Sequence, residues 1–434
     1  MIFFLKSEHS HSKYFALIRK TVALQCRSFL EQSAFPMASY AEPSSVTLPA
    51  ALRNMLSLHD FEAAARRRLP RPIFGYIAGA AEDNGSLRDN REVFDDYAFS
   101  TRVLRDVSKR SQAVELFGQC YSSPFGIAPM GINALTTYRG DLVLARAAQQ
   151  AGIVSVMSGT SLIPMEEVAR ESPATWFQAY IPGDQARIDA LIDRVERAGF
   201  GTLMVTVDIP ISANRENNIR TGFSTPLRPS LRLAWDGMVR PGWVAGTFLR
   251  TLLRHGMPHF ENSFATRGAP IMSSTVLRDF SARDHLTWRH IEAIRRRWKG
   301  PLVVKGLLSV EDALEARRVG ADGIVLSNHG GRQLDGAASP MRVLEAVVAA
   351  VGPDYPVLID SGFRRGSDVL KALALGARMV LVGRPFNYAA AVAGEAGVAH
   401  AIGLLRDEVD RNLAMLGVTR CSELGPQHIV RRRT

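Results

Sequence analysis

Eight short runs of mainly β-branched and aliphatic residues recur between Pro124 and Pro385: PFGIAPM, GIVSVMSG, TWFQAY, TLMVTVD, PLVVKG, GIVLSNHG, PVLIDSG and MVLVGRP. Amphipathic stretches separate them, among them DLVLARAAQQAG, DQARIDALIDRVERAG, VEDALEARRVGA and GSDVLKALALGA. Each of these carries apolar residues at three-to-four spacing and closes on glycine, the pattern of a helix with a C-terminal stop. Strands alternating with helices predict a parallel sheet, and eight such units predict an α/β chain folded as a (β/α)8 barrel. One link breaks the rhythm. The connection from the fourth run to the fifth extends from about 209 to 300, so a long insertion is expected after strand four.

The polar residues and glycines of this stretch collect at the C-terminal ends of the runs. Strand one ends at Ala128, Pro129, Met130 and Gly131, strand two at Ser158, and strand three at Gln178 and Tyr180. Strand four ends at Thr206 and Asp208, strand five at Lys305, and strand six at Ser327 and His329. Asp360, Gly362 and Arg364 follow strand seven, and Gly383 and Arg384 follow strand eight. A parallel barrel brings these positions to one mouth, where barrel enzymes place their chemistry. A single polar strand end would read as a helix cap; eight together read as a site. The run SNHGGRQLD, residues 327–335, is then strand six's share of it, since a plain turn would need little more than Asn-Gly.

The residue types narrow the chemistry. Strands seven and eight lead into DSGFRRG and GRP, where glycines admit close approach and Arg364 and Arg384 can fork onto oxygens, a phosphate-binding pattern. Taken alone, GRP is equally a turn and Arg384 a surface charge. With Lys305 and the Gln178 amide, the set suits a cofactor with a phosphate tail and a heteroaromatic ring; no GxGxxG follows a strand, so a Rossmann site is not indicated. A carboxylate such as Asp208 beside His329 fixes the imidazole tautomer, as a general base requires. Arg215, in IPISANRENN, and Arg332 suit a carboxylate, and Tyr180 adds a hydroxyl. Together they specify a 2-hydroxy acid losing its α-proton.

Composition sets outer limits. The net charge of +11 over 434 residues is spread along the chain with no nucleic-acid motif, so anionic substrates, phosphate or an acidic membrane surface are favoured over DNA. Cys26, Cys120 and Cys421 lie far apart with no metal-ligand spacing, which reads as three free thiols and no metal site. No 18-residue apolar stretch predicts a spanning helix. Residues 1–50 are basic and serine-rich; they read as a disordered extension, either a targeting segment or an over-long start with Met37 as initiator. The folded unit is expected over 51–430.

These motifs closely resemble the FMN-dependent 2-hydroxy acid dehydrogenase/oxidase family, with SNHGGRQLD, VVKG, TVD, FQAY and DSGFRRGSDVLKALALGA in the family's order over roughly residues 55–430. The resemblance implies an N-terminal helical segment before the barrel and a homotetramer. It makes His329 the base, oriented by Asp208, with Arg215 and Arg332 on the substrate carboxylate, Tyr180 on the hydroxyl or carboxylate, and Tyr76 as a second active-site tyrosine. It assigns Lys305, Ser158, Gln178 and Thr206 to the flavin ring and Asp360 to the ribityl chain. Gly362, Arg364, Gly383 and Arg384 would hold the phosphate, with Ser327 and residues 128–131 completing the cofactor site. Other readings are an FMN barrel isomerase and a barrel kept as a binding module.

Two departures from the glycolate-oxidising members bear on the substrate. Thr160 stands where they carry tryptophan, and Gly131 where they carry alanine, in PMGIN. The first is expected to enlarge the substrate side and the second to loosen packing against the flavin. LRHGMP and SPMRVL also look more like the mandelate branch, so a medium or large (S)-2-hydroxy acid is expected. Within the insertion, residues 222–280, Arg228, Arg232, Arg240, Arg250 and Arg254 interleave with Trp235, Trp243, Phe248 and several leucines. That composition suits a membrane interface or, equally, a lid on the barrel rim. The family tips it toward a membrane, implying a quinone-type acceptor and a cytoplasmic protein peripheral on the inner membrane face; an oxidase using O2 is the alternative.

Overall fold

The structure is a computed structural model describing residues 48–224, 231–273 and 283–432. The eight expected strands are β1 (Phe125–Ile127), β2 (Val156–Ser158), β3 (Trp176–Tyr180), β4 (Leu203–Thr206), β5 (Leu302–Leu307), β6 (Gly323–Leu326), β7 (Val357–Ile359) and β8 (Met379–Val382). All pair in parallel in sequence from β2 to β8, and β8 pairs with β1. Between β1 and β2 the ring closes through a bridge from Ile127 to Ser155, with the Ile127 N–H donating to the Val154 carbonyl at 2.8 Å. The (β/α)8 barrel is therefore as expected. Its strands are buried on both faces, which is why they read as continuous apolar runs.

The helices Gly140–Ala151, Gln185–Arg197, Val310–Arg318 and Gly366–Ala374 fall on the four amphipathic stretches. Asp184 and Ser309 cap two of them by accepting from the N–H groups of Arg187 and Asp312. Gly152 ends the first in the left-handed region at φ 65°, where a Cβ would be strained.

Strand periodicity sorts the barrel interior into layers. Val156, Trp176, Met204, Val303, Val325 and Leu358 form one buried apolar cluster. Leu203, Val205, Leu302, Val304, Ile324 and Ile359, one residue out of step, pack instead with the surrounding helices. The hairpin of Val114–Leu116 and Gln119–Tyr121 adds Leu116 and Tyr121 to the inner cluster, and Phe117 lies 5.6 Å from the Trp176 ring. It stoppers the N-terminal end of the barrel, leaving the C-terminal mouth as the open one.

Before the barrel come helices Asp60–Arg68, Arg71–Ala78 and Gly85–Glu92, the expected N-terminal helical segment, and Tyr97–Phe99 pairs antiparallel with Ile429–Arg431. The helix Arg384–Leu416 is apolar and long enough to cross a membrane, but it breaks at Ala393 and Gly394 and buries sixteen of its residues. It is a core helix. In the insertion, helices Leu231–Met238 and Arg250–His255 expose Leu231, Trp235, Met238 and Leu253, whereas Trp243 turns inward and donates to the Leu135 carbonyl at 2.8 Å. Arg228 and residues 1–47 lie outside the described residues. Cys421 is a buried free thiol, as expected; Cys26 lies outside the described residues.

Candidate active site

Two residues above each member of the apolar plug, the next inward position is polar: Ser158, Gln178, Thr206, Lys305, Ser327 and Asp360, each buried. Lys305 donates from Nζ to Ser327 Oγ at 2.8 Å and pairs with Asp360 Oδ2 at 3.2 Å. Ser158 donates to Gln178 Oε1 at 3.0 Å and lies 3.0 Å from Thr160 Oγ1. Gln178 Nε2 and Thr206 Oγ1 are buried with no hydrogen-bond partner among the described residues. Buried donors of this kind are costly unless something in the mouth accepts from them.

The same spacing, carried one step further, places Tyr180, Asp208 and His329 above this floor. His329 Nδ1 lies 3.1 and 3.2 Å from the two Asp208 oxygens, so Nδ1–H donates to the carboxylate and Nε2 is left as acceptor. The pair requires Gly306: at its φ of 111° a Cβ would sit 2.7 Å from the Asp208 side chain. Burial lowers the His329 pKa, opposed by Asp208 and assisted by Lys305 and Arg215. Asp208 remains a carboxylate because His329 and Lys305 outweigh the burial that pushes it up. Tyr180 is raised by burial, then by Asp208 and Tyr76, and stays a protonated donor.

Arg215 donates through Nε to the Arg332 carbonyl at 3.1 Å and through Nη2 to Gln333 Oε1 at 2.6 Å. Gln333 in turn donates to the Asp208 carbonyl, tying Arg215 to the base pair. Arg332 Nη1 donates to the carbonyls of Tyr76 and Gly79, each at 2.7 Å, with its guanidinium 4.9 Å from the Tyr76 ring centroid. Burial first, then Arg215, lowers the Arg332 pKa to about 9. These groups line one cavity of about 650 Å3, together with residues 128–131, Lys305, Asp360, Gly362, Arg364, Gly383 and Arg384. That volume is within the range of small-molecule sites. Ser158, Gln178, Thr206, Asp208 and Ser327 are not among the lining residues; Asp208 and Ser327 hydrogen-bond to His329 and Lys305 of the wall, and Ser158 lies beside Thr160.

Several placements were not foreseen. Arg384 donates to the carbonyls of Ile77, Gly79 and Gly330, so it also clamps the N-terminal segment over the mouth. The N–H groups opening helix Gly366–Ala374 are taken by Asp368 and Glu408, so they add little to an anion site after strand seven. Asn328 and Asn90 exchange two amide hydrogen bonds at 2.8 and 2.9 Å, joining helix Gly85–Glu92 to the strand-six loop. Ser361 donates to Asp360 and accepts from the Gly330 N–H. Arg283, from the insertion, lines the cavity with its guanidinium 5.3 Å from the Tyr180 ring centroid. A Cβ on Gly131 would lie 2.2 Å from Thr160 Oγ1 and 3.7 Å from the Tyr76 hydroxyl, so the space this glycine leaves is shared with Thr160 and Tyr76.

A profile of FMN-dependent dehydrogenases matches residues 65–431. The (S)-mandelate dehydrogenase of Pseudomonas putida is 39% identical over 378 residues, 87% of this chain and 94% of that protein. The chain belongs to the FMN-dependent dehydrogenase family. An L-lactate dehydrogenase of Stenotrophomonas maltophilia is 40% identical over 384 residues, 86% of this chain and 97% of that one. A crystal structure of the monotopic membrane protein (S)-mandelate dehydrogenase superposes with a TM-score of 0.82 at 38% identity, covering 88% of this chain and 100% of that one. A mandelate oxidase with bound benzoyl-formic acid gives 0.71 at 35% identity, covering 86% and 98%.

FMN is thus the cofactor of this oxidoreductase, and the residues present fit it. The unpartnered donors Gln178 Nε2 and Thr206 Oγ1 suit the polar edge of a flavin ring. Arg364, part-buried and lowered to about 10 by desolvation and then by Arg384, suits a phosphate.

Proposed function

We propose that this chain oxidises an (S)-2-hydroxy acid larger than glycolate to the 2-oxo acid, passing the electrons to a quinone-type acceptor at a membrane. The observation that carries this reading is the part-buried His329–Asp208 pair set among Arg215, Arg332, Tyr76 and Tyr180 over one polar floor. Flavin supplies the two-electron acceptor when bound. Ser158, Gln178, Thr206 and Lys305 would hold its ring, with Lys305 adding positive charge there. Asp360 and Ser327 would hold the ribityl chain; Gly362, Arg364, Gly383 and Arg384 the phosphate; and Ala128, Pro129, Met130 and Gly131 the strand-one wall. Arg332 and Arg215 bind the substrate carboxylate, and Tyr76 and Tyr180 donate hydroxyl hydrogen bonds to it or to the substrate hydroxyl. His329 Nε2 then takes the substrate proton, and Asp208 stabilises the imidazolium. Anaerobic addition of a panel of 2-hydroxy acids should bleach the yellow holoenzyme. No bleaching by any of them overturns the reaction, and rapid peroxide formation on admitting air overturns the acceptor.

The size preference supplies a sharper test. Gly131→Ala should cut kcat/KM for acids larger than glycolate by about tenfold, the scale of one misplaced methylene, because the new Cβ drives the Thr160 hydroxyl into the substrate's space. Adding Thr160→Ala to Gly131→Ala should restore most of the loss. Additive losses in a double-mutant cycle would show that the two positions do not share one space.

Membrane contact is supported by the insertion, where Leu231 and Leu253 are 93% and 85% exposed and Arg250 and Arg254 are exposed as well. Paired Trp235→Glu and Leu253→Glu substitutions should lower the fraction bound to anionic phosphatidylglycerol vesicles by about tenfold or more, given the usual worth of one buried large side chain. Turnover with a soluble dye acceptor is the control. Equal binding by both proteins would assign the exposed helices another role.

A further inference from the structure

The strand-one wall of the cavity ends in a strained turn. Ile132, which lines the cavity, has φ 52° and ψ 28°, a left-handed conformation that is costly for a β-branched residue. Such a backbone persists only where its surroundings hold it. The next residue supplies the hold. Asn133 is buried and donates from Nδ2 to the Met130 carbonyl at 2.8 Å and to Asp141 Oδ1 at 3.0 Å, while its Oδ1 accepts from Asn387 Nδ2 at 2.9 Å. The Met130 carbonyl can only accept, so it fixes which way round the Asn133 amide lies, and Asn133 Oδ1 in turn fixes the Asn387 amide. The Asn133 carbonyl accepts from Thr136 Oγ1 at 2.7 Å, which closes the turn. Asp141 opens helix Gly140–Ala151, where an acid commonly serves the helix alone. Here it is buried, and burial pushes its carboxyl up to about 6 against the hydrogen bonds of Ser161 and Asn133. Keeping a carboxylate in such a place is costly, and its bond to Asn133 ties it to the cavity wall. Met130 lies against the end of strand eight, since a Cβ on Gly383 would be 3.6 Å from its Sδ. Neither Asn133 nor Asp141 lines the cavity, so any effect they have there passes through the loop.

We propose that Asn133 is a positioning residue for the cofactor: anchored by Asp141 and Asn387, it holds the loop from Met130 to Ile132 in the shape that receives the flavin. This rests on the reading of residues 128–131 as the strand-one wall of the cofactor site and extends it to the layer behind that wall.

The test reads FMN retention and flavin absorption in the full-length holoenzyme, neither of which needs turnover. Asn133→Ala should raise the FMN dissociation constant by about tenfold or more, the scale of leaving buried hydrogen-bonding groups unmet, and should shift the visible flavin band. Asp141→Asn keeps the shape but removes the charge from the same bond. It should raise the constant by about threefold and add little on the Asn133→Ala background. Gln149→Gly, exposed on the same helix, is the comparison: it should lower Tm without changing either readout. Unchanged FMN binding and spectrum in Asn133→Ala, or an effect of equal size in Gln149→Gly, overturns the assignment. Where Asn133→Ala does not fold, Asp141→Asn against Gln149→Gly decides in the same way. Met130→Ala separates the two readings. If it alters the bound flavin and the Asn133 and Asp141 variants do not, only the positioning role falls; if none of them does, the strand-one wall falls with it.

Discussion

His329→Asn is expected to leave a folded protein that binds FMN but is reduced by its 2-hydroxy acid about 10^4-fold more slowly, the upper end of what a positioned base contributes. Asparagine is the suitable replacement because His329 has φ 57°, a left-handed conformation that asparagine tolerates. The surrounding hydrogen bonds do not depend on the imidazole: the His329 N–H donates to Ser327 Oγ, and Gly330 and Gly331 make their own contacts. The pH profile identifies the group. The base must be neutral, and burial lowers its pKa from 6.5, so the acid limb of kcat/KM should have its midpoint below 6.5. Asp208 raises that pKa against burial. Asp208→Asn should therefore move the limb to still lower pH while the plateau drops, because the amide no longer fixes Nδ1–H as the donor. Stopped-flow flavin reduction across pH reads both effects. A limb that stays in place in Asp208→Asn would mean that another group titrates.

The barrel and the composition of its mouth were legible because both follow a local period. A strand turns each second residue inward, so Val303 and Lys305, or Val325, Ser327 and His329, announce apolar plug, polar floor and reactive layer in order. No comparable rule governs partners distant in the chain. That Asn328 would pair with Asn90, or that Arg384 would hold the carbonyls of Ile77 and Gly79, depends on how the N-terminal segment lies across the mouth. Such contacts are specified by three-dimensional fit. Arg283 was missed for a related reason: it stands in an insertion with no period, five residues before a basic amphipathic helix that made it look like one more surface arginine. Gly131 and Thr160 were each noticed, but as separate changes. Their shared space appears only when the strand-one and strand-two loops are brought face to face.

Arg332→Met should lower kcat/KM by about 10^3-fold, corresponding to roughly 4 kcal/mol, the scale of removing one partner of a buried charge pair. Two losses combine in that figure. Its Nη1 serves carbonyls at the C-terminal end of helix Arg71–Ala78, groups left without partners inside the helix, and so holds Tyr76 over the mouth. Arg332 also lines the cavity, where a carboxylate would restore the charge stabilisation that burial and Arg215 remove; the pKa of about 9 keeps it cationic at neutral pH. Guanidinium added to Arg332→Met should recover part of the carboxylate contribution but not the clamp on Tyr76, whereas Tyr76→Phe should cost less than either. Arg215→Met should be milder still when made on the Arg332→Met background than on wild type, because Arg215 Nε is anchored to the Arg332 loop and both cations serve one anion. Full additivity of the two arginine losses would mean that they bind different groups, and the shared carboxylate would have to be abandoned.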